Sequence, residues 1–349
     1  MNRKEFDKIC LDAVSQAKKV ISEMKAGKRE TGIEFSDEML EGKSTIKEMI
    51  GTDDAAAEFV QKVTYDLYQG RESVPLLYQP IYTTLVDANF PKTLEVNEMG
   101  PVSVIFLEHL EGGEVKFGTL EPGTQKTISF VTYAAGVEYD EDILEYNQTW
   151  KVSEIGLAYG EAYNKLLNHI HLYPFIAGTY ATSSADIGIQ KQYQEGTGGY
   201  TATAQLIAFA TDIETTLGNA IRVLPRGVYM LINSADRNRV EDAIAGAMYD
   251  DYAPAVLKRK LSAANIVEYD GEEVVVGSKT YTYTGVTPGE LFLIVPKKMQ
   301  KEYVKHDLRL DSGDGDLSRL VITQMVGRAR RSLATTLSGK WGAVKVALE

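Results

Sequence analysis

Cysteine is nearly absent: the 349 residues contain one, Cys10. A disulfide framework within the chain is therefore impossible, and a zinc site of several cysteines is excluded. Histidine is almost as scarce, with four residues, His109, His169, His171 and His306. His169 and His171 lie two apart on a predicted helix, which points them to different sides, so they cannot chelate one metal. No apolar run approaches the roughly 18–20 residues of a membrane span. The start, MNRKEFDKIC, carries no apolar signal core. A soluble protein made in the cytoplasm is expected, with no membrane partner. Positive charge is in deficit, with 37 Lys and Arg against 49 Asp and Glu, a net charge of −12. That argues against a dedicated nucleic-acid binder.

Catalytic signatures are missing as well. There is no G-x-S-x-G elbow, no Walker loop and no G-x-G-x-x-G fingerprint. Gly196-Thr197-Gly198-Gly199 lacks the lysine and the strand-to-helix setting of a phosphate loop. Asp311 to Asp316 resembles a calcium loop, but its spacing fails the EF-hand rule from either starting point, so a tight turn between strands is expected. No catalytic residue, cofactor or metal is assigned, and the chain is not expected to be an enzyme.

What is present is ordinary globular composition, 44% hydrophobic and 25% charged, in a chain long enough for two or three domains. Charge is distributed unevenly. Residues 297–349 hold eleven basic and six acidic residues, or +5, so the rest of the chain carries −17. The densest basic cluster is Gly327-Arg328-Ala329-Arg330-Arg331. On a strand, Arg328 and Arg330 share one face and Arg331 points the other way. Arginine forks gripping a neighbouring subunit's carboxylates fit this cluster better than nucleic-acid contact does, given the acidic body.

Periodicity predicts a helix over residues 4–25, with Cys10 in its apolar stripe as a small core residue. The stretch that follows is loose and charged, so this helix must find a partner surface on its own body or on a neighbour. A second helix is predicted from Thr52 as N-cap, ended by Gly70. Strand-like runs follow at 102–110, 114–120 and 126–139, with Glu111-Gly112-Gly113-Glu114 as a hairpin signal. Their polar surface suits a hairpin projecting from the body. A short helix at 141–147 and a five-turn helix stopped by Pro174 come next. Residues 176–200 read as loop and 201–221 as helix. VYMLI (228–232) reads as a strand, and Asn233-Ser234 caps a helix through about Ala245. Strands are predicted at 265–270, through EEVVVG and KTYTYTG, and at 291–296. Residues 301–349 read as long strands broken at Asp311–Asp316.

This order resembles the major capsid proteins of tailed bacteriophages, the Hong Kong 97-like fold. The similarity is carried by VTYAAGVEYDEDIL from Val131, by LLYQPIYTTLVDANFP from Leu76 to Pro91, by FLEHLEGGEVKFGTL, and by the ending LVITQMVGRARRSLATTLSGKWGAVKVAL. It covers about residues 60–349. The resemblance implies an α+β fold with an N-terminal helical arm (1–60), a peripheral domain with a spine helix (61–87, 131–173 and 297–349), an extended hairpin loop (88–130) and an axial domain (174–296). It implies a structural protein that self-assembles as pentamers and hexamers into an icosahedral head. Such a head, in the virion, encloses double-stranded DNA without sequence-specific binding and is assembled in the host cytoplasm. Scaffolding, portal and decoration proteins are the implied partners. No scaffold domain precedes the body, so scaffolding is expected from a separate protein or from the helix at 4–25. Intersubunit contact candidates are Glu111, Gly112, Gly113, Lys116, Arg328, Arg330 and Arg331. Some capsids of this fold form an isopeptide bond between a hairpin lysine and an asparagine of the peripheral domain. Lys116 is the lysine candidate here, but no asparagine follows Asn265, so non-covalent contacts are expected. The alternative is an encapsulin, a nanocompartment shell of the same fold around cargo enzymes. An enzyme with an unrecognised site is the third class.

Overall fold

The computed structural model describes residues 3–29, 32, 53–97, 125–140, 149–180, 227–249, 265–276, 279–314, 321–337 and 342–347. The first helix, α1 (Arg3–Lys25), buries Cys10, Ala13, Ala17 and Val20, a three- and four-residue repeat that makes one stripe. That stripe lies on α2 (Asp53–Ser73) of the same chain, where Ala17 and Val20 meet Tyr65, and Cys10 meets Val60.

Helix α2 is buried on both sides, because α3 (Thr149–Ile176) crosses its other face. The two backbones touch. A Cβ on Gly70 would sit 2.1 Å from the Leu157 carbonyl oxygen, and one on Gly160 2.0 Å from that of Leu67. Gly70 therefore does not end the helix, which runs on to Ser73. It is a contact glycine whose missing side chain lets α3 approach. Nor does Pro174 stop α3, which continues to Ile176. A proline there removes one hydrogen bond in the last turn, and Phe175, fully buried, holds the turn in the core.

Two four-stranded sheets flank α3. The first has the order β1-β10-β11-β4 and joins β1 (Thr83–Val86), β10 (Lys301–Asp314), β11 (Val321–Ala334) and β4 (Val131–Asp140). β1 runs parallel to β10, and the other pairings are antiparallel. Of the predicted break at Asp311–Asp316, residues 311–314 are instead paired in β10, with Asp314 opposite Thr323, and the rest lies outside the described residues. The second sheet has the order β12-β9-β5-β6 and joins β12 (Ala343–Ala347), β9 (Glu290–Ile294), β5 (Tyr229–Ile232) and β6 (Asn265–Glu268). One core fills the space between the sheets, with Tyr78, Tyr82, Leu167, Leu172, Phe175, Leu231, Phe292 and Ala329 among its members.

Asn233 caps a 3-10 turn (Ser234–Asp236) by accepting from the Ala235 amide at 3.0 Å, and α4 (Arg237–Tyr249) follows. The helix outlasts the predicted end near Ala245. Asp236 is buried and accepts from the Gly289 amide at 2.6 Å, tying this turn to the approach to β9.

Two ribbons complete the described fold. β2 (Thr93–Asn97) pairs antiparallel with β3 (Gln125–Ser129), and β7 (Gly271–Val276) with β8 (Lys279–Thr284). The predicted run 126–139 is thus two strands, the second entering the first sheet. The predicted strands 102–110 and 114–120, the helices 141–147 and 201–221, most of the loop 176–200, and the candidates Glu111, Gly112, Gly113 and Lys116 lie outside the described residues.

Candidate functional site

The inward side of the first sheet carries charge. On β11 the residues Met325, Gly327, Ala329 and Arg331 face α3 and are buried, while Arg328 and Arg330 are exposed. A charged residue facing inward must be met by partners. Arg331 Nη1 pairs with Glu302 of β10, and its Nη2 donates to Tyr163 Oη at 2.7 Å and to Asp307 Oδ1 at 2.8 Å. Tyr163 Oη in turn donates to Asp307 Oδ1 at 2.9 Å. Thr84 of β1 donates to the second oxygen of Glu302 at 2.8 Å. Arg71 of α2 reaches Asp307 Oδ2 at 3.6 Å and packs over the Tyr163 ring. A bulge in the register between His306 and Arg309 lets Asp307 turn inward to join this group.

His171 of α3 closes the chain of contacts. Its Nε2 lies 3.0 Å from Glu302 Oε1, its Nδ1 2.6 Å from the Leu167 carbonyl, and its ring stacks on Tyr78 at 3.5 Å. Both ring nitrogens face acceptors, which favours the imidazolium. Burial opposes it more strongly and pushes the His171 pKa down. Burial also works against the Glu302 carboxylate, but the His171 hydrogen bond and the charges of His171 and Arg331 hold its pKa below the ordinary value. Asp307 is likewise held low, because Arg71 and Arg331 outweigh desolvation. Tyr78 is pushed up to about 12, chiefly by burial. The cluster joins α2, α3, β1, β10 and β11. Arg331, Glu302 and His171 are closed off from solvent, while the Asp307 side chain is 51% exposed and lines a cavity with Arg71 and Asn164; the ion pairs hold these elements together. Among the described residues no group of three or more His, Cys, Asp or Glu side chains is placed to hold a metal.

The outward side of the same sheet is different. Arg328 stands opposite Arg309, and Arg330 opposite His306. Arg328 bonds Asp311 through Nε at 2.8 Å, Arg309 Nε lies 3.5 Å from the same carboxylate, and Arg330 Nε donates to Thr132 Oγ1 at 2.9 Å. Desolvation, followed by the charges of Lys305, Arg330 and Arg309, lowers the His306 pKa. Further along this face the root of the β2–β3 ribbon is seated. Ile128 and Tyr303 are buried there with Phe90, Leu94 and Phe130 against them, and Ser332 Oγ donates to the Ser129 carbonyl at 2.9 Å.

Of the predicted contact residues within the described part, Arg328 and Arg330 thus lie together on an exposed face. Arg331 is only 3% exposed and engaged within its own chain, so it is a cohesion residue and is withdrawn as a surface contact. Its inward direction was readable from the alternation; its partners were not, because Tyr163, Glu302 and Asp307 are distant in sequence.

No known protein-family profile matches the sequence, and no curated protein does. Among solved structures, the chain is similar to a virus-like particle from Pyrococcus furiosus, with 10% identity, a TM-score of 0.45, and coverage of 82% of this chain and 98% of that one. It is similar to the capsid of the cyanophage P-SCSP1u, with 13% identity, a TM-score of 0.45 and coverage of 78% and 88%. It is also similar to the mature capsid of bacteriophage PhiM1, with 12% identity, a TM-score of 0.44 and coverage of 78% and 87%. The similar structures come mostly from tailed phages. Identities and scores this low do not assign a family.

Proposed function

We propose that this chain is a structural shell subunit, the major capsid protein of a tailed phage, which self-assembles into an icosahedral head around double-stranded DNA. The observation that carries this reading is the β2–β3 ribbon. A two-stranded ribbon closes with a loop of about two to five residues, yet residues 98–124 separate the last described pair, Asn97 and Gln125. The root of the ribbon is fastened to the sheet by Phe90, Ile128 and Tyr303. An anchored ribbon whose two strands are separated by so much sequence suits contact with another subunit, because an isolated ribbon is at best marginally stable in water.

The order of elements supports the same reading: helical arm, anchored ribbon, 28-residue helix, second sheet, then the 14-residue strands β10 and β11. Within it, α3 is the spine of a peripheral domain (61–87, 131–173 and 297–349), and residues 174–296 form the axial domain. The hairpin 88–130 and the arm 1–60 make contacts between subunits, and Arg328 and Arg330 are contact residues on the sheet face. Cohesion is non-covalent, and portal, scaffolding and decoration proteins are the partners. Chemistry is not part of the role.

Negative-stain electron microscopy of the protein expressed alone, with light scattering on the same sample, tests this. Closed shells, or rings of five and six subunits, are expected. A homogeneous monomer or dimer that stays so when phage helper proteins are added overturns the reading. The contents of purified shells then separate a DNA-filled head from a cargo-filled nanocompartment.

A further inference from the structure

We propose that the cleft between α1, α2 and β10 binds a single-chain amphiphile with an anionic head, of the class of aliphatic carboxylates. The hydrocarbon chain lies among Cys10, Leu11, Val14, Leu67, Leu308 and Leu310, and the head lies toward Lys18. This site goes beyond the shell reading and does not depend on it.

The first support is unfilled apolar space. α1 is seated on α2 by Ala17 and Val20 against Tyr65, small side chains that bring two helices together without filling the space alongside. A cavity of about 420 Å³ is left there against β10. Small-molecule sites run from roughly 300 to 1,000 Å³. Leu11, 71% exposed, stands on its rim. Apolar walls facing water gain by taking up a hydrocarbon chain.

The second support is a polar demand inside the same cavity. Thr64 of α2 is 1% exposed and lines it, and its hydroxyl has no hydrogen-bond partner among the described residues. A pure hydrocarbon would leave that hydroxyl unpaired, which is costly. An oxygen-bearing head group supplies the acceptor.

The third support is charge, which is graded along the cleft. One end is apolar, where Cys10 meets Val60 and Leu310. Toward the other end Lys18 holds its ammonium over the Tyr68 ring, 5.6 Å from the centroid, and Tyr68 lies one helical turn beyond Thr64. No acidic residue stands three or four positions from Lys18 on α1. Beyond this wall a second cavity of about 490 Å³ shares Lys18, Tyr68 and Asp307 and adds Lys25 and Arg71. Arg71 Nη1 is buried there without a hydrogen-bond partner among the described residues, 3.6 Å from Asp307 Oδ2. The carboxylates of these walls are already met, Glu72 by Lys25 and Asp307 by Arg331 and Tyr163. An anionic head is thus received by cations rather than repelled.

Calorimetric titration of the full chain with monomeric hexanoate, octanoate and decanoate tests the proposal. Saturable binding of one molecule per chain is expected, tightening roughly fourfold per added methylene. Decylammonium, with the same chain and a cationic head, should bind at least about tenfold more weakly than decanoate. Leu11→Glu, on the exposed rim, and Lys18→Glu should each weaken decanoate by at least about tenfold. Val86→Glu, at an exposed apolar residue of β1, should leave it unchanged. Absence of saturable binding overturns the proposal. So does equal affinity for the two head groups, or a Leu11→Glu chain that binds as well as Val86→Glu. Attachment to phosphatidylglycerol vesicles without binding of monomeric decanoate makes a membrane surface the partner and overturns it as well. None of these outcomes bears on whether the chain forms shells, so the two readings fail separately.

Discussion

Arg331 and Glu302 form an ion pair closed off from solvent, their side chains 3% and 2% exposed. They sit on neighbouring strands, and Tyr163, Thr84 and His171 make further polar contacts with them, while Arg331 Nε is buried with no hydrogen-bond partner among the described residues. Such a pair adds little stability compared with an apolar pair of equal volume, but removing one partner strands the other charge in the interior. Arg331→Ala should therefore destabilise the subunit by about 3–5 kcal/mol. Urea unfolding followed by tryptophan fluorescence would read it. A change within about 0.5 kcal/mol, the range of ordinary surface substitutions, would show that the pair is solvated.

Acid should weaken the fold in two stages. The His171 pKa lies below its ordinary 6.5 in the folded protein, so the unfolded chain binds the extra proton first. The stability gained by keeping this histidine neutral is present above pH 6.5 and is lost as pH falls from 6.5 toward the lowered value. His169 and His306 are lowered as well and act in the same sense. Glu302 and Asp307 are held below their ordinary 4.5 and 3.8, so their contribution is lost at still lower pH. Melting temperature between pH 8 and 5 should fall, and His171→Gln should flatten the upper part of that curve. An unchanged slope in the variant would remove His171 from the account.

Gly160→Ala should cost about 1–3 kcal/mol, because the added methyl meets the Leu67 carbonyl at 2.0 Å and forces α2 and α3 apart. Gly136→Ala is the matched control. Its nearest neighbours would be a Val326 methyl at 3.7 Å and the Met325 oxygen at 3.9 Å, so it should be neutral. Thermal unfolding of the two variants side by side decides it.

Ala17 is fully buried where α1 crosses α2 beside Tyr65. Ala17→Leu should loosen α1 while sparing the body. Limited trypsin digestion should then cut faster near Lys25 and Lys28, and the remaining fragment should keep its melting temperature. Equal digestion rates would mean that the contact absorbs the larger side chain.

Much of the frame was legible from period and punctuation. The stripe of α1, the strand 229–232 and the Asn233 cap follow local rules that hold wherever the segment is placed. Two misreadings share one cause. Gly70 and Pro174 carry local stop signals, and tertiary packing overrode both: Gly70 lies against the α3 backbone, and the turn after Pro174 is held by buried Phe175. Of the site, the facing of Arg328, Arg330 and Arg331 was legible because a strand alternates strictly. The His171–Glu302–Arg331 cluster was not, since no local pattern connects residues 171, 302 and 331. It becomes visible only when α3 is laid across the sheet.

The sheet order β1-β10-β11-β4 has a consequence for synthesis. Thr83 pairs beside Lys301, and Val131 beside Arg331, so both early strands wait for late ones. During translation, β1 and β4 emerge with their sheet partners still unmade, and closure depends on contacts distant in sequence, which form slowly. A nascent chain stalled before residue 301 lacks the sheet face that carries Arg328 and Arg330. Prematurely terminated chains therefore cannot close this sheet, which is completed only after translation has passed β11.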